Sequence, residues 1–186
     1  MGAIHRLTGQ HVYPNPNYIE IMNPDLFKFT FAYIVEAGQM YFSRPEAERL
    51  REYLLRGGFL HLDDFWGLDQ RENVETELGK VFPEYPIEPL PLTHEVFHTF
   101  FDIEEILQAP NEGQGCTGGR TWELPDDIPP RIYGIKDDQG RLMVVISYNT
   151  DLGDAWEFMD LDCYPERYSG YAVRVALNFI IYSMSH

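Results

Sequence analysis

The run Ser43-Arg44-Pro45-Glu46 reads as a capping box that starts a helix. Ser43 can accept from an orphan amide of the first turn, Glu46 can reach back to the Ser43 amide, and proline suits the first helical positions. Ala47, Leu50, Tyr53 and Leu54 then form one apolar stripe, while Glu48, Glu52 and Arg56 carry the wet face. Gly57-Gly58 supplies the left-handed stop. Two apolar runs flank this helix. From Phe27 to Val35 aromatics fall on alternate residues (Phe27, Phe29, Phe31, Tyr33), and Ala32 and Ile34 make the second half apolar on both faces. After it, Phe59-Leu60-His61-Leu62 is a short strand closed by Asp63-Asp64-Phe65-Trp66-Gly67. Strand, helix and strand within roughly forty residues predict a βαβ unit, with parallel strands and a right-handed crossover. A sheet of that kind is covered on both faces, which makes the chain an α/β protein.

The remaining pattern extends the same layers. Leu68 to Phe82 suits a second helix that stops before Pro83, and Ile87 to Leu92 a further strand. A loop holding Gly113, Gly115, Gly118 and Gly119 follows. Arg131 to Ile135 and Arg141 to Tyr148 predict a hairpin around Asp137-Asp138-Gln139-Gly140. The last helix is expected from Ser169 or Gly170 to Ser183, with Arg174 and Asn178 sharing one face to satisfy buried carbonyls. Residues 1–24, with Pro14, Pro16 and Pro24 set among Asn15, Asn17 and Asn23, read as an irregular lead-in. No repeat or linker divides the 186 residues, so a single α/β domain over 1–186 is expected.

Fourteen Lys and Arg against thirty Asp and Glu leave a formal charge of −16, which repels phosphate backbones and anionic membranes and argues against nucleic-acid binding. The charge does not signal disorder, because 44% of residues are hydrophobic and 15% aromatic. No apolar run reaches the length of a membrane span, so direct membrane insertion is not expected, and Met1 to Arg6 is not a signal peptide. Cys116 and Cys163 allow one disulfide in an oxidising compartment, and leave the compartment itself open.

In parallel α/β sheets ligands bind beyond the carboxyl ends of strands. Those positions hold Glu36 after the first strand, and Asp63, Asp64 and Trp66 after the second. Adjacent carboxylates there could hold a divalent cation, or one could act as an acid or base beside its neighbour. They could equally serve the fold, with Asp63 capping the next helix, Asp64 binding a turn and Trp66 in the core. Asn149-Thr150-Asp151-Leu152-Gly153-Asp154-Ala155-Trp156-Glu157 follows the last strand and adds Asp154 and Trp156 as candidates. Oxygen ligands around a glycine suit calcium, and tryptophan beside carboxylates suits a sugar ring, but the EF-hand spacing is not met and a solvated loop with Asp154 capping a short turn is the favoured reading.

His94-Glu95-Val96-Phe97-His98 spells H-E-x-x-H, which on a helix would aim both imidazoles at one zinc ion while Glu95 activates its water. Pro89 and Pro91 leave little room for such a helix, and a third ligand would have to be Glu104 or Glu112. The context favours a short turn that buries Phe97, Phe100 and Phe101. There is no G-x-S-x-G elbow, neither cysteine sits on a strand-turn-helix elbow, and no apolar strand precedes the Gly113 to Gly118 run.

Taken in order, Tyr33-Ile34-Val35-Glu36-Ala37-Gly38, Leu50 through Leu60, Asp63-Asp64-Phe65-Trp66-Gly67, Val81-Phe82-Pro83, Asp151 through Glu157, Asn178-Phe179-Ile180-Ile181-Tyr182 and His186 resemble the bacterial family called domain of unknown function 4159. The resemblance runs from about Asn15 to His186. It implies a flavodoxin-like, three-layer sandwich of the class I glutamine amidotransferase type, with a mainly parallel sheet and a C-terminal hairpin plus helix. In that fold group the turn after the Gly-Gly strand lies close to the nucleophilic cysteine; here Asp63-Asp64-Phe65-Trp66 stands there, so glutaminase activity is not expected. Members usually begin with an additional strand and helix, which this chain is expected to lack, and many carry an export signal, which leans towards a periplasmic or exported setting. Members commonly have proline where Glu95 stands, which makes the H-E-x-x-H incidental. The expectation is an uncharacterised binding module with an acidic strand-end site and no cofactor beyond a divalent cation. Its partner would be a small molecule, a sugar or a protein. The alternative is a hydrolase, through zinc at His94 and His98 or through acids beside Trp66 and Trp156.

Overall fold

A computed structural model describes residues 16–186, so Pro14 and Asn15 of the expected lead-in lie outside the described residues. The elements run β1 (Phe31–Ile34), α1 (Arg44–Leu55), β2 (Phe59–Leu62), α2 (Gly67–Val81), β3 (Glu88–Pro89), α3 (Glu112–Thr117), β4 (Arg131–Lys136), β5 (Leu142–Tyr148), α4 (Leu152–Glu157) and α5 (Glu166–Ser185). They build one sheet in the order β1-β2-β5-β4-β3. β1, β2 and β5 are parallel, with Tyr33 opposite His61 and His61 opposite Val145. The β4–β5 hairpin and β3 complete the sheet antiparallel to one another.

The βαβ unit forms as its local signals require. Glu46 accepts from the Ser43 amide at 2.9 Å, and the chain leaves α1 through Gly57 at φ +103°, a backbone that glycine adopts without steric cost. Ala47, Leu50, Tyr53 and Leu54 are buried, and with Val74, Leu78 and Val81 of α2 they cover one sheet face. The other face holds Phe59, Leu142 and Val145 against Leu152 and Ala155 of α4 and Ala172, Val175 and Phe179 of α5. The result is a flavodoxin-like α/β sandwich. Among the described residues no helix is long and apolar enough to cross a membrane.

Several boundaries differ from the pattern. The first strand starts at Phe31, because Pro24–Lys28 winds into a 3-10 turn whose Asn23 side chain accepts from the Asp25 amide at 2.9 Å. Phe27 serves the core, packing edge-on against Tyr53. β3 shrinks to Glu88–Pro89, since Pro89 and Pro91 have no N–H to give a ladder. The glycine-rich loop is partly helical: Asn111 caps α3 by accepting from the Gln114 amide at 2.9 Å, and Gly118 ends it. α5 begins earlier than expected, at Glu166. Asn178 does satisfy buried backbone, accepting from the Phe100 and Phe101 amides and donating to the Phe101 carbonyl. Arg174 instead donates to Gly170 of its own helix, and Phe100 is exposed rather than buried.

Candidate functional site: an acidic strand-end cluster

The parallel strands β1, β2 and β5 share one geometric feature at their carboxyl ends. Each is followed within two residues by a non-glycine residue in the left-handed region: Glu36 (φ 51°), Asp64 (φ 53°) and Asn149 (φ 57°). Such backbone is uncommon for any residue with a Cβ, is best tolerated by Asn and Asp, and concentrates where a turn must aim side chains. Asn149 turns its side chain inward, accepting from the Gly67 amide at 3.1 Å and donating to the Asp127 and Pro129 carbonyls. That ties the N-terminus of α2 and the loop before β4 to the end of β5.

Asp63 is fully buried. Its Oδ2 accepts from the Tyr33 hydroxyl (2.8 Å) and from the amides of Leu152 (2.9 Å) and Gly153 (3.0 Å) at the start of α4, while Oδ1 has no partner among the described residues. The expected cap is therefore real but falls on α4, across the sheet, rather than on the helix that follows in sequence. Gly153 is needed there, because a Cβ would lie 2.6 Å from the Tyr33 hydroxyl. Asp151 caps the same helix through Oδ1, which accepts from the Asp154 amide at 2.7 Å. Asp154 in turn accepts from the Glu112 amide at 2.7 Å, joining α4 to α3.

Asp64 projects beside these groups, its Oδ1 accepting from the Trp66 indole N–H at 2.8 Å. Trp66 itself is in the core and orients Asp64. Glu123 arrives from the loop before β4, held by the Asn111 side-chain amide at 2.5 Å. Carboxylate oxygens of Asp64, Glu123 and Asp151 all lie within 4.8 Å of one another. Among the described residues, none of Asp63, Asp64, Glu123, Asp151 and Asp154 forms an ion pair with Lys or Arg. The crowding favours protons: burial, then the charges of Glu123, Asp154 and Glu36, push the Asp64 carboxyl up to about 6 against the pull of the Trp66 bond. Burial pushes Asp63 up to about 8, with Asp64 adding to it and the Tyr33 hydrogen bond opposing. Asp151 is raised too, by burial first and then by Asp64 and Asp63.

Three carboxylates with free oxygens and no counter-charge are donors for a hard divalent cation. Oxygen ligands lie about 2.3–2.6 Å from calcium, so opposite ligands stand about 5 Å apart, compatible with the observed spread. The remaining candidates sit at different depths. Glu36 is exposed, and Trp156 packs its ring 5.2 Å from Tyr33 and 6.1 Å from His61 with its indole N–H buried and without a partner among the described residues. A second potential group, Glu112 with Cys116 and Cys163, has no thiolate to offer because the two sulfurs are joined in a disulfide.

The His94–His98 segment is arranged differently. Glu95–Phe97 is one 3-10 turn, and His94 caps it with Nδ1, which accepts from the Val96 amide at 3.2 Å. His98 faces acceptors on both sides, Asp102 at Nδ1 and the Leu92 carbonyl at Nε2, both 2.8 Å, and these hold its pKa above the usual histidine value. Glu104 is exposed, and Glu112 belongs to α3.

The sequence pattern singles out neither Glu123 nor Tyr33 as a site residue, and offers Asp151 as an acid that follows a strand. Asp151 carried a signal, an acid within three residues of a parallel strand's end. Glu123 carried none, since a tertiary tether delivers it.

The α/β sandwich carries its acidic cluster where its parallel strands end, the position at which ligands bind in parallel α/β sheets. The family model for a domain of unknown function, DUF4159, matches residues 1–184, and the chain belongs to that family. Among curated proteins none matches the chain.

Proposed function

We propose that the chain is a binding module of amidotransferase-like architecture whose strand-end site takes a divalent, oxygen-seeking cation through Asp64, Glu123 and Asp151. The reading rests on one observation: three carboxylates within 4.8 Å of one another, with no ion pair to a basic side chain among the described residues. Asp63 supports it, because its charge adds to the raised Asp151 pKa and its buried Oδ1 has no hydrogen-bond partner among the described residues. Three protein oxygens leave positions in the cation's shell for water or for hydroxyls of a bound ligand, which suits a hydroxyl-rich molecule better than an anionic one. Glutaminase chemistry does not fit, because the turn after β2 carries Asp64 and Trp66 where a thiol is required and both cysteines are bonded to each other. The disulfide also favours an oxidising compartment.

Calorimetric titration of chelator-treated protein with Ca2+ and Mg2+ tests this. One site with Ca2+ preferred is expected, lost in Asp151→Asn. No heat with either ion, or an unchanged titration in that variant, would remove the reading.

A further inference from the structure

The disulfide Cys116–Cys163 joins α3 to the segment between α4 and α5, across a sequence separation of 47. α3 has six residues, too few to be stable from its own hydrogen bonds. It nevertheless carries the tethers that hold Glu123. Asn111, its cap, donates to Glu123 at 2.5 Å, and the Gln114 side chain donates to the Trp122 carbonyl at 3.2 Å. The far half of the same loop is anchored elsewhere: Asp126 accepts from the Leu68 amide at 2.7 Å, and the Asp127 and Pro129 carbonyls accept from Asn149. Glu123 therefore follows α3, while Asp64 and Asp151 follow the sheet. Cys163 is exposed, so a reagent can reach the bridge.

We infer that the Cys116–Cys163 bridge is the device that holds Glu123 against Asp64 and Asp151, so that the site takes its cation in the oxidised protein and releases it on reduction. This rests on the cation reading above. In the reductive step an external dithiol attacks one sulfur and the S–S bond breaks. The two cysteine sulfurs gain two electrons and two protons in total, and the dithiol closes to its own disulfide. α3 then keeps only hydrogen-bond anchors, Glu112 to Asp154 and Tyr164 to the neighbouring Pro110 carbonyl, and with the covalent one gone Glu123 leaves the cluster and two carboxylates remain.

Ca2+ titration of the full chain, oxidised and after dithiothreitol, tests the coupling. The expected result is an affinity about tenfold or more weaker after reduction, since affinity follows the number of charged ligands. In Glu123→Gln the affinity should be low and the same in both redox states. Asn111→Ala, with the bridge intact, should weaken binding as reduction does, which covers the case in which reduced protein unfolds. Equal affinity in both states of the parent protein would overturn the inference and leave the cation site standing. A redox effect that persists in Glu123→Gln would overturn it as well. Absence of binding in the oxidised parent would instead overturn the cation site itself, and the coupling with it.

Discussion

The zinc-spaced His94–His98 segment and the acidic strand-end cluster differ in what their lone pairs are doing. In the His94–His98 segment the spacing is that of a zinc motif, yet His94 Nδ1 receives the Val96 amide and both nitrogens of His98 face acceptors. Those nitrogens serve local backbone and the Asp102 carboxylate. In the strand-end cluster no recognised spacing exists, yet Asp64, Glu123 and Asp151 converge from three separate segments with oxygens to spare. A ligand set is defined by unspent lone pairs at a common point, and sequence spacing predicts that point only when the intervening residues form the assumed helix.

The comparison can be broken most forcibly at Asp63. Asp63→Ala leaves the Tyr33 hydroxyl and two amides of α4 without an acceptor, and unfolding should lose about 3 kcal/mol or more, read from urea midpoints. Next is Gly153→Ala, whose Cβ would meet the Tyr33 hydroxyl at 2.6 Å. A cost of about 1–3 kcal/mol is expected, with weakened Ca2+ binding as α4 shifts Asp151.

A pH series probes the same acids without mutation. Asp63 and Asp64 bind protons more tightly folded than unfolded, so their contribution is complete below about pH 4 and is lost as pH rises through about 6 and then about 8. In metal-free buffer the melting temperature should fall between pH 5 and pH 9, less steeply in Asp63→Asn, and saturating Ca2+ should remove most of the fall. A flat profile that calcium does not change would show that the cluster carries no such strain. The smallest effect belongs to the histidine segment. His98→Gln should leave both the Ca2+ titration and the melting temperature at pH 8 near their parent values, since the side chain is solvated; a loss of cation binding there would erase the distinction between the two places.

What the sequence reveals follows the same division. The βαβ unit is legible because its signals are local: a capping box, one apolar stripe and a Gly-Gly stop, each adequate on its own. Asp63 and Asp64 are legible because parallel topology puts strand ends where ligands bind. α3 is not, since a helix containing Gly113 and Gly115 contradicts propensity and exists through the Asn111 cap and its tertiary anchors. Glu123 is not, since its position depends on a hydrogen bond from Asn111, twelve residues earlier. The alternating aromatics at Phe27 and Phe29 mislead for a related reason: Phe27 is apolar to cover Tyr53, and not to join the ladder.

The three left-handed turns after β1, β2 and β5 have a consequence for how such a protein can be altered. Their shape is a property of backbone torsion, and glycine or asparagine adopts that torsion at least as readily as the residues present. The acid in the β1 turn, Glu36, can therefore be exchanged for either without moving the backbone of the turn. The turn works as a mount with an interchangeable fitting, on which the charge beside Asp64 can be changed while the sandwich beneath it stays the same.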